Sequence, residues 1–129
     1  MRLRAIAFPI LAVTLIGARA LPFHLALQKS EPASKASLTQ APADLKLWFT
    51  ESVELPLTKV ALVRGNDTIA LAALTQAKEA KSPIVAKINA PLAAGSYKVD
   101  WRAVGKDGHA VKGTFGFDVK AAASGKPGN

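Results

Sequence analysis

Two histidines and one carboxylate carry most of the chemistry open to this 129-residue chain: His24, Asp107 and His109. Asp107 and His109 are separated by Gly108 alone, and on an extended backbone the side chains of residues i and i+2 project to the same side. A carboxylate oxygen and an imidazole nitrogen can therefore converge on one ion, and the glycine lets the backbone bend tightly between them. His24 is distant in sequence, but a chain terminus can fold back across the end of a β-sandwich and complete such a set. Two imidazoles and a carboxylate, with no sulfur, suit a borderline divalent cation. Cu(II) binds such nitrogen–oxygen sites most tightly among the first-row metals, and Zn(II) is the next candidate. Asp-Gly is also a common hairpin turn, so by spacing alone His109 can equally be an exposed turn residue.

The rest of the composition excludes more than it offers. The chain has no Cys, which removes disulfides, thiolate zinc sites, iron–sulfur clusters and a Cys nucleophile. No Gly-x-Ser-x-Gly elbow and no phosphate-cradling glycine loop is present, and two His leave few options for a Ser/His/Asp set, so no enzyme is expected.

Arg2 and Arg4, the apolar stretch 5–17 and the small-x-small sequence Ala18-Arg19-Ala20 read as a secretory signal peptide over residues 1–20. The stretch is short for a membrane span, and Pro9 interrupts it. The whole chain has 17 Lys+Arg against 9 Asp+Glu; removing Arg2, Arg4 and Arg19 leaves 14 against 9, or +5. The lysines are scattered singly, with no basic block and no interleaved aromatic residues. That pattern is a solvated surface rather than one for nucleic acid or anionic membrane. No apolar run long enough to span a bilayer follows the signal.

The elements that must position the three residues read as strands. Leu45-Lys-Leu-Trp-Phe-Thr alternates at its start, and Lys59-Val-Ala-Leu-Val runs into the turn cluster Arg64-Gly-Asn-Asp67, from which Thr68-Ile-Ala-Leu71 returns as a hairpin partner. Residues 28–43 read as an extended lead-in, and 72–82 as a loop with at most one helical turn. Ile84-Val-Ala-Lys-Ile88 is a further strand. Residues 97–104 place Tyr97, Val99, Trp101 and Ala103 on one face, with Lys98, Asp100 and Arg102 on the other. After the turn at 105–108, residues 111–119 put Val111, Gly113, Phe115, Phe117 and Val119 on one face. Residues 121–129 read as a small, polar, flexible tail.

About six short strands with turns between them predict an all-β protein, an antiparallel Greek-key sandwich or barrel of immunoglobulin-like type, in a single domain over 21–120. Leu92-x-x-Gly95-x-Tyr97 has the form of a tyrosine corner, which ties the start of a strand to an upstream carbonyl. Trp48 and Trp101 are expected in the core.

Three blocks resemble the CopC-type copper resistance proteins. His24-Leu-Ala-Leu27-x-x-Ser30-x-Pro32-Ala33 resembles the opening of the mature family members. Leu47-Trp-Phe49-Thr50-Glu51-x-Val53-Glu54 is similar to their Leu-x-Phe-Ser-Glu block. The third is the most specific: Leu92-x-x-Gly95-x-Tyr97-x-Val99-x-Trp101-Arg102-x-Val104-x-x-Asp107-Gly108-His109-x-Val111-x-Gly113-x-x-x-Phe117-x-Val119.

The resemblance implies a periplasmic Cu(II)-binding protein that buffers or delivers copper in resistance or homeostasis, with a membrane copper-transport protein as partner. It assigns the metal to His24, Asp107 and His109, and puts Glu51 beside the site, where a carboxylate could orient an imidazole. Two departures follow. The family's Cu(I) sites use methionine thioethers, and the single Met here is Met1, so no Cu(I) thioether site is expected. Cleavage after Ala20 leaves Leu21-Pro22-Phe23 ahead of His24, which removes the α-amine of His24 from the ligand set. The alternative reading is an exported immunoglobulin-like interaction module with a degenerate metal site.

Overall fold

The computed structural model describes residues 24–79 and 81–121. The expected signal peptide, residues 21–23 and nearly all of the expected tail lie outside the described residues.

Among the described residues, nine strands form two facing sheets. The first contains β1 (Leu27–Glu31), β3 (Asp44–Phe49), β7 (Ile84–Lys87) and β6 (Thr75–Gln76), in the order β1-β3-β7-β6. The second contains β2 (Ser37–Leu38), β9 (Ala110–Val119), β8 (Gly95–Val104), β4 (Lys59–Arg64) and β5 (Asp67–Ile69), in the order β2-β9-β8-β4-β5. All pairings are antiparallel except the short β2–β9 contact. The chain changes sheet at five of its connections, which stitches the two layers together.

Each long strand is there because its alternation lets one face leave water. From the first sheet, Leu45, Leu47, Ile84 and Ala86 point inward and are fully buried. They meet Leu62, Tyr97, Val99, Trp101, Ala103, Phe115, Phe117 and Val119 from the second. The faces expected for β8 and β9 are the ones observed. The hairpin that turns at 64–67 is also observed, with Leu62 opposite Ile69 and Arg64 opposite Asp67, but its second strand ends at Ile69 instead of Leu71.

The tyrosine corner is present: Tyr97 Oη donates to the Ala93 carbonyl at 2.6 Å, and the Tyr97 ring stacks on Phe117 at 5.5 Å between centroids. Gly95 beside it has φ +155°, and a Cβ there would lie 3.0 Å from Arg64 Nε. Trp101 lies across Gly113, its register partner on β9, and meets Phe49 edge-on at 5.2 Å.

Three expectations need correction. Residues 28–43 are not only a lead-in, because β1 pairs with β3 and β2 with β9. Both are short edge strands with little inward surface (Ser30 is the buried residue of β1), so they carry no alternation to detect. The 72–82 stretch holds β6 and no helix among the described residues, since Leu71 bridges Ile88 and carries the chain across to the first sheet. Trp48 is half-buried on the outer face of β3, with Lys29 Nζ 4.5 Å above its ring, rather than in the core. Leu47, its inward neighbour, takes the core position.

Candidate metal centre

β8 and β9 pair residue for residue from Gly95–Val119 to Val104–Ala110, and the 105–109 turn closes the hairpin at one end of the sandwich. Gly105 N donates to the His109 carbonyl at 2.9 Å, and Gly108 N to the Gly105 carbonyl at 3.0 Å. Gly108 has φ +85°, a conformation that glycine adopts without the Cβ penalty. Behind the turn, Val53 bridges Gly105 and Glu54 N donates to the Val104 carbonyl at 2.7 Å. Glu54 also pairs with Lys106 at 3.1 Å. The hairpin end is thus tied to the segment that follows β3.

Within this turn the Asp107 carboxylate is held at both oxygens. Oδ1 accepts from His109 N at 3.0 Å, and Oδ2 lies 2.9 Å from His109 Nδ1. The hydrogen bond from the His109 backbone N–H, followed by that from its ring, holds the Asp107 carboxyl below its ordinary value of 3.8. An ionised carboxylate can only accept, so Nδ1 carries the hydrogen in this pair, and in the neutral imidazole Nε2 keeps its lone pair. Both side chains are exposed, His109 at 89% and Asp107 at 65%, so an ion can reach them without any rearrangement of the core. A room constraint supports the same arrangement: a Cβ on Gly105 would lie 2.9 Å from Asp107 Oδ1.

His24 is exposed and immediately precedes the β1 region. Thr50 fixes its backbone: the Thr50 hydroxyl donates to the His24 carbonyl at 3.1 Å and accepts from Ala26 N at 2.9 Å. Thr50 N donates to the Ala26 carbonyl, also at 2.9 Å. The next residue, Leu25, is buried, and its Cδ2 would be 3.7 Å from a Cβ on Gly105. Leu25 therefore packs against the hairpin turn and carries the His24 backbone to the same end of the molecule. The structure brings Asp107 and His109 into contact. Among the described residues it gathers no three His, Asp or Glu side chains closely enough to hold one ion.

Glu51 is half-buried and lines a cleft of about 260 Å³ with Phe49, Thr50, Gln76 and Lys81. Among the described residues it makes no hydrogen bond to either histidine. Thr50, Leu25 and Gly105 support the candidate ligands and are not among the site residues expected from sequence. Thr50 stands beside Glu51 in the second block, but no local pattern announces a contact spanning 26 residues.

The donor set suits a nitrogen- and oxygen-seeking divalent ion, and a carboxylate bonded to one imidazole nitrogen orients the other for a metal. Among the described residues no helix is long and apolar enough to cross a membrane.

A family model described as the CopC domain matches residues 27–120. Copper resistance protein C of Xanthomonas campestris pv. juglandis is 34% identical over 125 residues, covering 91% of this chain and 97% of that protein. The crystal structure of PcoC, a methionine-rich copper resistance protein from Escherichia coli, superposes with a TM-score of 0.65 at 30% identity, over 75% of this chain and 99% of that one. That of CopC from Methylosinus trichosporium OB3b gives 0.67 at 25% identity, over 76% and 95%.

Proposed function

The chain belongs to the CopC family, and on that premise we propose that it binds copper as Cu(II) at the 105–109 turn and serves copper resistance by buffering or delivering the ion. The observation that carries this reading is the Asp107–His109 pair, held at 2.9 Å in an exposed, hydrogen-bonded turn. His109 supplies an imidazole nitrogen and Asp107 a carboxylate oxygen, the ion taking the place of the Nδ1 hydrogen between them. His24, whose backbone Thr50 and Leu25 carry to that end of the sandwich, supplies the second imidazole once an ion draws it in. The ion is cargo rather than a catalyst, and the role is binding, not turnover.

The oxidation state follows from donor chemistry. Imidazole and carboxylate favour Cu(II), whereas Cu(I) prefers soft thioethers. The PcoC relative is named methionine-rich, while this chain has one Met, at position 1. The N-terminal pattern supports export to the periplasm, where a membrane copper-transport protein would be the natural partner.

The test is a Cu(II) titration of the naturally processed protein against a competing chelator, with electron paramagnetic resonance. We expect one tight equivalent with nitrogen hyperfine structure, and loss of that tight site in His109→Ala with the melting temperature kept. The ungathered third ligand favours a second reading, a family fold retained as an exported interaction module. Weak, non-saturating binding in the wild type would select it.

A further inference from the structure

β3 runs past its neighbour on one side. β7 pairs with it only as far as Ile84 opposite Leu47, and β6 meets β7 at Thr75 and Gln76 alone. Beyond Leu47, β3 has β1 on one side and, among the described residues, no strand on the other. The gap between residues 49–53 and 76–82 is the cleft of about 260 Å³ that Glu51 lines. Its far wall is held by the chain itself. Gln76 Nε2 donates to the Ser82 carbonyl at 2.9 Å, and Ser82 Oγ donates to the Glu79 carbonyl at 2.8 Å. Phe49, braced edge-on by Trp101, and the buried Val53 give the cleft its apolar lining.

Two opposite charges line this cleft without meeting. Glu51 is half-buried, yet among the described residues it has no ion-pair partner within reach and its carboxylate accepts no hydrogen bond from a side chain. Glu54 and Asp100 are half-buried too, and each holds a lysine, at 3.1 and 3.4 Å. Lys81 lines the same cleft and lies beyond ion-pair distance of Glu51. A partly covered carboxylate without a donor keeps a desolvation cost that a bound cation removes. Gln76 Oε1 and the Ser52 hydroxyl are also unused by any side chain among the described residues.

A cation would satisfy Glu51 alone, and an anion Lys81 alone. One molecule that carries both charges satisfies both. The volume lies below the roughly 300–1,000 Å³ of pockets for drug-sized ligands, so that molecule is small. Its charges must flank an apolar part that can rest on Phe49.

We propose that this cleft binds a free α-amino acid with a short apolar side chain. The ammonium donates to Glu51 and Gln76 Oε1, the carboxylate accepts from Lys81 and Ser52 Oγ, and the side chain lies against Phe49 and Val53. Thr50, which clamps the His24 backbone, lines the same cleft, so the occupant sits next to the candidate metal centre. None of the three copper donors takes part, and the proposal does not rest on the copper reading.

The test uses the full processed chain, freed of metal by a chelator, with L-valine as the probe in calorimetric titration and backbone amide shifts. Saturable binding of one equivalent is expected, with shifts concentrated at residues 49–53 and 76–82. Acetate and methylamine, which carry one charge each, should bind at least about tenfold more weakly. Glu51→Gln and Lys81→Met should each weaken valine binding at least about tenfold with the melting temperature kept, and Lys78→Met and Glu79→Gln, outside the lining, less than about twofold. Acetate or methylamine binding as tightly as valine would overturn the proposal. So would equal losses in all four variants, shifts elsewhere, or no saturation. His109→Ala should bind valine as the wild type does; a loss there would move the ligand to the metal turn and overturn the proposal. A wild type that takes up Cu(II) but not valine refutes only the cleft, and one that takes up valine but not Cu(II) refutes only the metal site.

Discussion

At the scale of single residues, the candidate site depends on small groups that keep larger ones in place. Asp107, Gly108 and His109 were legible in the sequence because their relation is local, although they meet through a turn with Gly108 at φ +85° and not through the alternation of an extended backbone. Thr50 was not, since its clamp on residues 24–26 exists only after β1 and β3 pair. Thr50→Val removes the hydroxyl that bridges the His24 carbonyl and Ala26 N. It should lower stability by only about 1 kcal/mol. Cu(II) affinity in chelator competition should fall as well, and Thr50→Ser should restore both. Gly105→Ala should act on copper with little effect on the core. Its methyl would lie 2.9 Å from the exposed Asp107 carboxylate and push it off the His109 N–H, while Leu25 Cδ2 at 3.7 Å and the His109 carbonyl at 3.8 Å are in ordinary contact. The pH dependence follows from Asp107. Its folded pKa is depressed, so the ionised carboxylate stabilises the turn at neutral pH, and that contribution fades as pH falls through 3.8 toward the lower folded value. The gap in melting temperature between wild type and Asp107→Asn should hold steady from pH 7 to about 5 and close below about 4; because the carboxylate is exposed, the gap is small.

At the scale of elements, the strands that could be read from sequence are those that bury one face and wet the other. β8 and β9 qualify along ten residues each, and their expected faces are the observed ones. β1, β2 and β6 do not, because edge strands of two to five residues pair through backbone groups while their side chains stay mostly in water. Trp48 misled for a related reason: on an outer face a Trp can be half-covered by a lysine stem and its neighbours. The glycine at 113 shows how one strand shapes its neighbour. A Cβ there would lie 2.5 Å from the Trp101 ring, which is buried and braced by Phe49, so neither group can yield cheaply. Gly113→Ala should destabilise the fold by about 1–3 kcal/mol in chemical denaturation. Tyr97→Phe, which leaves the Ala93 carbonyl without its 2.6 Å donor, should cost about 1 kcal/mol and leave Cu(II) affinity unchanged, since the corner lies at the opposite end of β8 from the turn.

At the scale of the whole molecule, one core spans both sheets, and the charges sit outside it. The ion pairs Lys29–Glu31, Lys98–Asp100 and Lys106–Glu54 are exposed on both sides, so each contributes about 0–1 kcal/mol and is screened by salt. Sequence spacing correctly gave a surface with no basic block, yet it could not show that pairing would bring Lys59, Arg102 and Lys112 abreast; register is a property of the sheet, not of the chain. Raising salt should therefore hardly move the melting temperature. Phe117 supplies the complementary test. It is fully buried, stacks on Tyr97 and belongs to the cluster that also contains Leu25, the residue packed beneath the candidate metal turn. Phe117→Ala should lose about 3–5 kcal/mol. Because Leu25 shares that core, fluorescence unfolding and loss of bound Cu(II) should coincide in a single transition in this variant. Copper release well before global unfolding would mean that residues 24–26 detach as a separate unit, and that Thr50 rather than the core holds His24 at the site.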